Sequence, residues 1–445
     1  MRNKWSRIVV CTLAMMLAMT GLAACGTPAA TPAAGTATAG ATVPETATVA
    51  PTSQGNTAVE LKYFGWNDEK PYLQPIIEAF NAANPDTKVV PTFMVPDDYY
   101  AKILTMLTSG AADLDIYSVN GTANLVQYQQ VGGLLDLTNY ITKNNVDVSK
   151  YGPSMQSLLI DGKSYVLPYR SSCYALFYNK DIFDKAGEPY PNNITWEEYA
   201  QIAKRLTSGE GATKIWGGFI PDWLSAPIMP LQMDSNLLDD DVTPIVKWME
   251  LLNRVYNVDK SHMSFAEMRS TKVDWIKFFE TGTVAMLPNG EWTVSLLNDD
   301  KAAGKHNVNW DVALIPVVNK GDTVKSAGGV STFFGIYSGS KNADAAFRFL
   351  QFACGGDGAK IMAEKGVLPA FINDDIKAAF VKAAGVPGAD ALLSAETYPE
   401  TQNIPQMAAV LQAYTETLEL YLTGQITIEK FKEEFVSRRS EALAQ

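Results

Sequence analysis

Two tryptophans with polar neighbours have the types and spacing that suggest binding chemistry. Trp66 is followed directly by Asn67 and Asp68, and Trp292 is preceded directly by Glu291. A flat aromatic ring packs against the weakly polar C–H face of a sugar, while carboxylates and amides at its edge exchange hydrogen bonds with hydroxyls. The pattern predicts a site for a small polar solute, and packing of either tryptophan in a core is the alternative.

Three further positions fit such a site. Asn120 follows a predicted strand, where its amide would reach a ligand or form a turn. Arg170 can bind two hydroxyls or a carboxylate with its planar guanidinium group, or form an ion pair within the protein. Gly328 and Gly329 would let the backbone approach a ligand closely, or would form an ordinary turn or bulge.

The sequence contains few of the residue patterns that catalytic sites require. A glycoside hydrolase needs two carboxylates about 5–10 Å apart across a cleft, and Glu197, Glu198, Asp222 and Glu291 remain open for that role. The run from Thr195 to Glu198, however, has the pattern of a helix capping box. The 2 histidines lie in no zinc-binding motif. We therefore expect a binding protein rather than an enzyme, with no cofactor and no metal site.

The amino terminus has the pattern of a secretion signal. Basic residues precede an apolar run, Ile8 to Thr20, that is too short to span a bilayer. Residues 1–24 are therefore predicted to be a signal peptide. Residues 22–26 read Leu-Ala-Ala-Cys-Gly, which resembles the cleavage site of bacterial lipoproteins. Cys25 is thus predicted to carry lipid and to anchor the protein, with an ordinary cleavage site as the alternative.

Residues 25–58 form a predicted tether. They are rich in Thr, Ala, Pro and Gly, and Glu45 is their only charge, so they cannot form a packed core. The whole chain has 36 basic and 48 acidic residues, a net charge of −12, which disfavours a nucleic-acid partner. We expect a monomer outside the cytoplasm, held at the cell membrane by its lipid.

Two cysteines, Cys173 and Cys354, remain beyond Cys11 of the signal and the lipid-bearing Cys25. A disulfide between them is open, because an oxidising compartment permits one. Sequence does not show whether they lie close together, and we expect two separate buried thiols.

Strand and helix patterns alternate after the tether and indicate an α/β fold with parallel strands. Apolar residues recur at helical spacing from Leu73 to Phe80. The predicted strands are 59–64, 87–94, 114–119 and 311–318, and the predicted helices are 73–80, 99–108, 195–206, 342–352 and 406–445.

Seven short motifs follow one another along the chain after the tether. They are Thr108–Gly110 with Asp113–Ile116, Gly132–Leu137, Leu167–Phe183, Ile194–Glu198, Gly282–Met286 with Gly290–Trp292, Ser340–Asn342 with Gly366–Ala370, and Asn403–Met407. Each motif is weak alone, but their order resembles that of the family 1 extracellular solute-binding proteins of ABC importers, which are of the maltose-binding type.

This resemblance implies a type II periplasmic-binding-protein fold, in which two lobes close on ligand in the cleft between them. It implies an amino-terminal lobe of residues 59–170 and 326–370, and a carboxy-terminal lobe of residues 171–325 and 371–445. It also implies that Ser172, Tyr174 and Trp223 lie near the ligand, and that Trp292 stacks on a sugar. Ser172 and Leu411 differ from the maltose-binding pattern, which argues against a maltodextrin ligand.

The function implied is capture of a small neutral solute, a sugar or oligosaccharide, and its delivery to the transmembrane subunits of an ABC permease. A polyol, a polyamine or an amino acid derivative is the alternative ligand. A secreted glycoside hydrolase and an adhesive lipoprotein are the alternatives from other classes.

Overall fold

A computed structural model describes residues 58–110, 113–151, 153–225 and 228–444. The predicted signal peptide, Cys25 and nearly all of the predicted tether lie outside the described residues. Within the described part, no helix is long and apolar enough to cross a membrane.

The first third of the described chain alternates strands and helices. The apolar stripe predicted from Leu73 to Phe80 is buried in the first helix, and the first strand pairs in parallel with the next two, as predicted. These elements are β1 (Val59–Trp66), α1 (Lys70–Ala83), β2 (Thr87–Met94), α2 (Pro96–Ser109), β3 (Ile116–Asn120), α3 (Gly121–Gln130) and α4 (Thr138–Lys143).

The middle of the chain begins with the longest strand and is mostly helical. A π-helical segment, Arg254–Val258, directly follows the helix Thr243–Asn253. The elements are β4 (Val166–Asn179), α5 (Lys180–Ala186), α6 (Trp196–Leu206), α7 (Ile228–Gln232), α8 (Thr243–Asn253), α9 (Phe265–Thr271), α10 (Trp275–Glu280), β5 (Met286–Gly290), α11 (Thr293–Ala302) and β6 (Trp310–Leu314).

The last third begins with a strand that pairs with β3 of the first third, and it ends in two helices. Its elements are β7 (Lys325–Ile336), α12 (Ala343–Cys354), α13 (Gly356–Ala363), α14 (Asp374–Ala384), α15 (Ala389–Leu392), β8 (Glu396–Tyr398), α16 (Met407–Leu422) and α17 (Ile428–Leu443).

Several element bounds differ by a few residues from the sequence predictions, and two of the differences have a clear physical cause. β6 ends at Leu314 rather than Val318, because Pro316 has no backbone N–H to continue the ladder. The predicted helical segment, residues 406–445, is divided into two helices after Leu422, where Gly424 adopts a positive φ of 75° that ends a helix readily. The capping box at α6 is confirmed: the Glu198 N–H donates to Thr195 Oγ1 at 3.1 Å, and the Thr195 N–H donates to Glu198 at 2.7 Å.

The strands form one sheet in the order β2-β1-β3-β7-β4-β5, with β6 also paired to β4 and β8 to β7. Pairing is parallel among β1, β2 and β3 and between β7 and β8, whereas β7 is antiparallel to both β3 and β4. The first half of β4 pairs with β7, and its second half pairs with β5 and β6. β4 and β7 therefore run through both halves of the molecule.

Two hydrophobic cores make the molecule two-lobed. The buried side chains of one come from residues 61–169 and 330–370, and those of the other come from 173–327 and 359–442. We call the parts around them the amino lobe and the carboxy lobe. The predicted bounds of the lobes stay a prediction. Cys173 and Cys354 are both buried free thiols.

Candidate functional site

A cavity of about 700 Å³ lies where the two lobes face each other across β4 and β7. It brings together residues from the carboxyl end of β1, the start of α2, the β3–α3 junction and the crossing strands. The carboxy lobe adds the segment before α11, the start of α10 and the chain between β8 and α16. Most of the predicted site residues line it: Trp66, Asp68, Asn120, Arg170, Ser172, Tyr174, Trp223, Trp292 and Gly328.

Three of the predicted residues, Asn67, Glu291 and Gly329, do not line this cavity. Asn67 is exposed, because a single 3-10 turn places Asp68 at the cavity and Glu69 in the interior. Glu291 is fully buried. Gly329 lines a second cavity of about 490 Å³, which also contains Cys173 and Leu368.

Aromatic rings form the wall of the cavity on the amino lobe. Trp66 packs edge-to-face on Tyr99 with ring centroids 5.4 Å apart, and it lies 6.0 Å from Tyr100. The Tyr100 hydroxyl accepts a hydrogen bond of 2.8 Å from the Asn120 amide. These contacts hold Trp66 in the amino-lobe core at 6% exposure, and what remains of its surface lines the cavity.

A row of tryptophans forms the opposite wall. The Trp292 ring lies 5.9 Å from Tyr174 and 6.1 Å from Trp223, and Trp223 lies 6.4 Å from Trp275. Trp223 stays 42% exposed although it belongs to this cluster. An aromatic surface left open to solvent in a cleft is typical of a binding site.

Arg170 lies in β4, where the strand passes from one lobe to the other, and is 7% exposed. Its Nε donates to Thr332 Oγ1 at 3.1 Å, and its Cζ lies 5.0 Å from the Trp292 ring centroid. A guanidinium nitrogen lies 4.0 Å from Glu291 Oε1. The guanidinium group is thus held at the cavity wall by a hydroxyl, a ring face and a carboxylate.

Glu69 is a buried carboxylate behind the wall of the amino lobe. The hydroxyls of Ser118 and Tyr72 donate to it at 2.9 and 3.3 Å, and the Tyr169 hydroxyl donates to it as well. Burial raises the pKa of Glu69 to about 7, against the lowering effect of Arg170 and these hydroxyls. Its carboxylate therefore connects the turn after β1 to β4.

Glu291 is the matching buried carboxylate of the carboxy lobe. Its Oε2 accepts a 3.2 Å hydrogen bond from the Cys173 N–H. Burial raises its pKa to about 7, and Arg170 is the strongest opposing influence. The predicted hydrogen bonds between Glu291 and ligand hydroxyls do not fit a side chain that is 0% exposed, whereas contact with Arg170 does.

Glu400, which sequence reasoning missed, lies at the cavity just before α16. Its Oε1 accepts a 2.8 Å hydrogen bond from the Tyr174 hydroxyl. Its surroundings in the cleft raise its pKa by desolvation, although the side chain still reaches solvent. Next to it, Thr401 Oγ1 lies 3.1 Å from Thr122 Oγ1 of α3, so the two lobes touch directly beside the cavity.

Gly328 is required by close packing at the crossing strands. Its φ is 131°, and a Cβ there would lie 2.3 Å from the carbonyl oxygen of Ser172. The Ser172 hydroxyl lies 2.9 Å from that of Ser331, which also lines the cavity. The floor of the cavity is therefore made of small residues.

Several lining residues were not predicted as site residues. Asp97 and Tyr100 share one recognisable signal, since they follow directly after β2, at the strand end that faces a cleft in α/β folds. The others belong to helices or to segments whose position depends on distant pairing. The unpredicted residues include Tyr72, Asp97, Tyr100, Trp275, Ser331, Glu400 and Thr401.

The chain matches the model of the bacterial extracellular solute-binding protein family over residues 66–359. A putative binding protein of Brucella abortus (strain 2308) is 26% identical over 311 residues, which cover 67% of this chain and 72% of that one.

Solved structures show the same fold. A sugar transporter protein from Rhizobium etli in an open conformation is 29% identical, with a TM-score of 0.70 over 86% of this chain and 99% of that one. A substrate-binding protein from Listeria monocytogenes in complex with cycloalternan is 24% identical, with a TM-score of 0.75 over 87% of this chain and 100% of that one. The family match spans well over half of the sequence, and this chain therefore belongs to the bacterial extracellular solute-binding proteins.

Proposed function

We propose that this protein is the solute-binding component of an ABC importer and captures a sugar between its two lobes. The observation that carries the proposal is the pair of aromatic walls, with Trp66 on one lobe and Trp292 on the other. Aromatic side chains on both sides of a cavity suit the C–H faces of a pyranose. The likeness to a sugar transporter protein supports the same ligand class.

The polar groups of the cavity suit hydroxyl recognition. Arg170 offers donors, the carboxylate of Asp68 offers acceptors, and Ser331 offers both. A volume of about 700 Å³ lies within the ordinary range for small-molecule sites, which is about 300–1,000 Å³. A polyol would use the same hydroxyl contacts but would gain less from the two ring faces.

The transport role requires the protein to stay near its permease. We propose that residues 1–24 are removed, that Cys25 carries lipid, and that residues 25–58 tether the monomeric lobes to the outer face of the cell membrane. Closure of the lobes around ligand would then present a changed surface to the permease. The crossing strands β4 and β7 are the elements about which such a motion would occur.

Thermal unfolding of the purified protein against a panel of mono- and disaccharides, polyols, amino acids and polyamines tests the proposal. Ligand at about 100 times its Kd adds about 2.7 kcal/mol of stability, which raises Tm by a few degrees. We expect a saccharide to produce this shift and Trp292→Ala to abolish it. Trp216→Ala is the control, because Trp216 packs on Phe278 away from the cavity. A shift only with a polyamine or an amino acid would refute the assignment of a sugar as the ligand.

A further inference from the structure

The charged groups that line the cavity are unbalanced. Among the described residues around it, Asp68, Asp97 and Glu400 are carboxylates, and Arg170 is the single cation. Asp68 and Asp97 come from the amino lobe, whereas Glu400 follows β8 on the other side. Negative charge therefore approaches the cavity from both lobes.

Arg170 has little charge to spare for a ligand. The two buried carboxylates behind it, Glu69 and Glu291, are both 0% exposed and both interact with its guanidinium. Asp68 and Glu400 interact with the same group. One guanidinium thus faces four carboxyl groups, and it already contacts Thr332 and the Trp292 ring.

The carboxylates at the cavity surface are short of partners. Within the described residues, neither Asp68 nor Asp97 has a hydrogen bond or an ion pair. Asp274, the N-cap of α10, adds a further negative charge near Asp68. Glu400 accepts a hydrogen bond from the Tyr174 hydroxyl. Asp68, Asp97 and Glu400 are exposed and line the same cavity, so a cation bound in the cavity would be attracted by each of them.

The aromatic walls suit a cation as well. The negative face of an indole or phenol ring attracts an ammonium group, most strongly when water is excluded. Trp66 and Tyr100 stand beside Asp68 and Asp97 on the amino lobe, and Tyr174 stands beside Glu400. Each lobe therefore presents aromatic rings together with carboxylates.

Resting on the sugar-binding function proposed above, we infer that the solute is an amino sugar, whose ammonium group supplies the cation that Asp68, Asp97 and Glu400 lack. The same charges exclude sugars that carry a carboxylate or a phosphate. The ring of the solute lies between the aromatic walls, and its ammonium group lies among the carboxylates.

Calorimetric titration with matched sugars tests this inference. The probes are glucosamine and galactosamine, glucose and galactose, and glucuronate and galacturonate, with the corresponding disaccharides, at pH 7 in 0.05 and 0.5 M NaCl. We expect an amino sugar to bind at least tenfold more tightly than its neutral parent and a uronate at least tenfold more weakly. The preference should shrink at the higher salt concentration, because salt screens charge.

Charge-neutral variants locate the effect. Asp68→Asn and Glu400→Gln keep the shape of the side chain and should each reduce the preference for the amine at least threefold. Asp161→Asn is the control, since Asp161 is an exposed turn residue with a φ of 51° that asparagine tolerates. Equal binding of amino and neutral sugars, or tightest binding of a uronate, would overturn the inference and leave the sugar-binding proposal standing. Failure of every sugar in the set to bind would overturn both.

Discussion

Removal of the Arg170 guanidinium in an Arg170→Met variant should destabilise the protein in a pH-dependent way. Arg170 lies 4.0 Å from Glu291, and two unit charges at that distance attract by about 4 kcal/mol at an effective dielectric constant of about 20. Methionine keeps much of the volume of arginine but leaves Glu69 and Glu291 buried without a cation. Loss of one partner from a buried charge pair costs about 3–5 kcal/mol.

The sign of the pH dependence follows from the two carboxyl groups. Their pKa values, about 7 in the folded protein, are above the ordinary value of 4.5. Each therefore lowers stability as pH rises from 4.5 towards 7. Without Arg170 both pKa values rise further, so the variant goes on losing stability at pH values where the wild type no longer does. We expect a cost of about 3 kcal/mol at pH 8 and about 1 kcal/mol at pH 5.5.

Urea unfolding followed by circular dichroism from pH 5.5 to 8.5 measures this difference. Arg205→Met is the matched control, because Arg205 pairs with Glu188 at the surface and is itself 53% exposed. That pair should contribute less than about 1 kcal/mol and should show little pH dependence in this range. An Arg170→Met cost that stays constant from pH 5.5 to 8.5, or one no larger than that of the control, would refute the reasoning.

Three further predictions concern the lobes and the cavity floor. Gly328→Ala should destabilise the protein by about 1–3 kcal/mol, because the alanine Cβ would collide with the Ser172 carbonyl oxygen. Urea unfolding measures this loss of stability, and an unchanged unfolding midpoint would contradict the prediction. Thr195→Ala should cost about 1 kcal/mol in the same assay through loss of the α6 capping box, and Thr195→Ser should recover most of it. Burial lowers the pKa of His262 to about 3, so below pH 6.5 the histidine is protonated in the unfolded state but stays neutral in the folded state. The free energy of unfolding therefore falls by about 1.4 kcal/mol for each pH unit below 6.5. The stability advantage of the wild type over His262→Gln should therefore shrink between pH 6.5 and 5, and a constant difference would count against it.

Local patterns predicted the elements whose stability is local. The α1 stripe, β2 and the α6 capping box follow from side-chain spacing and capping chemistry, which depend on neighbours within a few residues. The antiparallel pairing of β7 with β3 and β4 did not follow from such patterns, because strands far apart in sequence carry no mark of their partner.

The residues that line the cavity fall into the same two groups, those predictable from local sequence and those that are not. Trp66 and Asp68 could be predicted because they lie at, or just after, the end of a strand. Glu400 could not, since it reaches the cavity only through the pairing of β8 with β7. The sequence around Glu291 is compatible both with contact to a ligand and with contact to Arg170. The burial of the side chain in the structure distinguishes these two roles.

The sheet order β2-β1-β3-β7 means that the amino lobe is completed by a strand, β7, that is synthesised long after the lobe's first three strands. β3 must pair with β7, where Asn120 meets Thr332 and Ile116 meets Ile336. During synthesis or secretion, β3 is therefore an unpaired edge until the chain beyond residue 336 has emerged, and such edges favour aggregation. Long-range pairing of this kind also slows folding. The carboxy lobe and its connections are thus as necessary to complete the first-made lobe as they are to close the cleft.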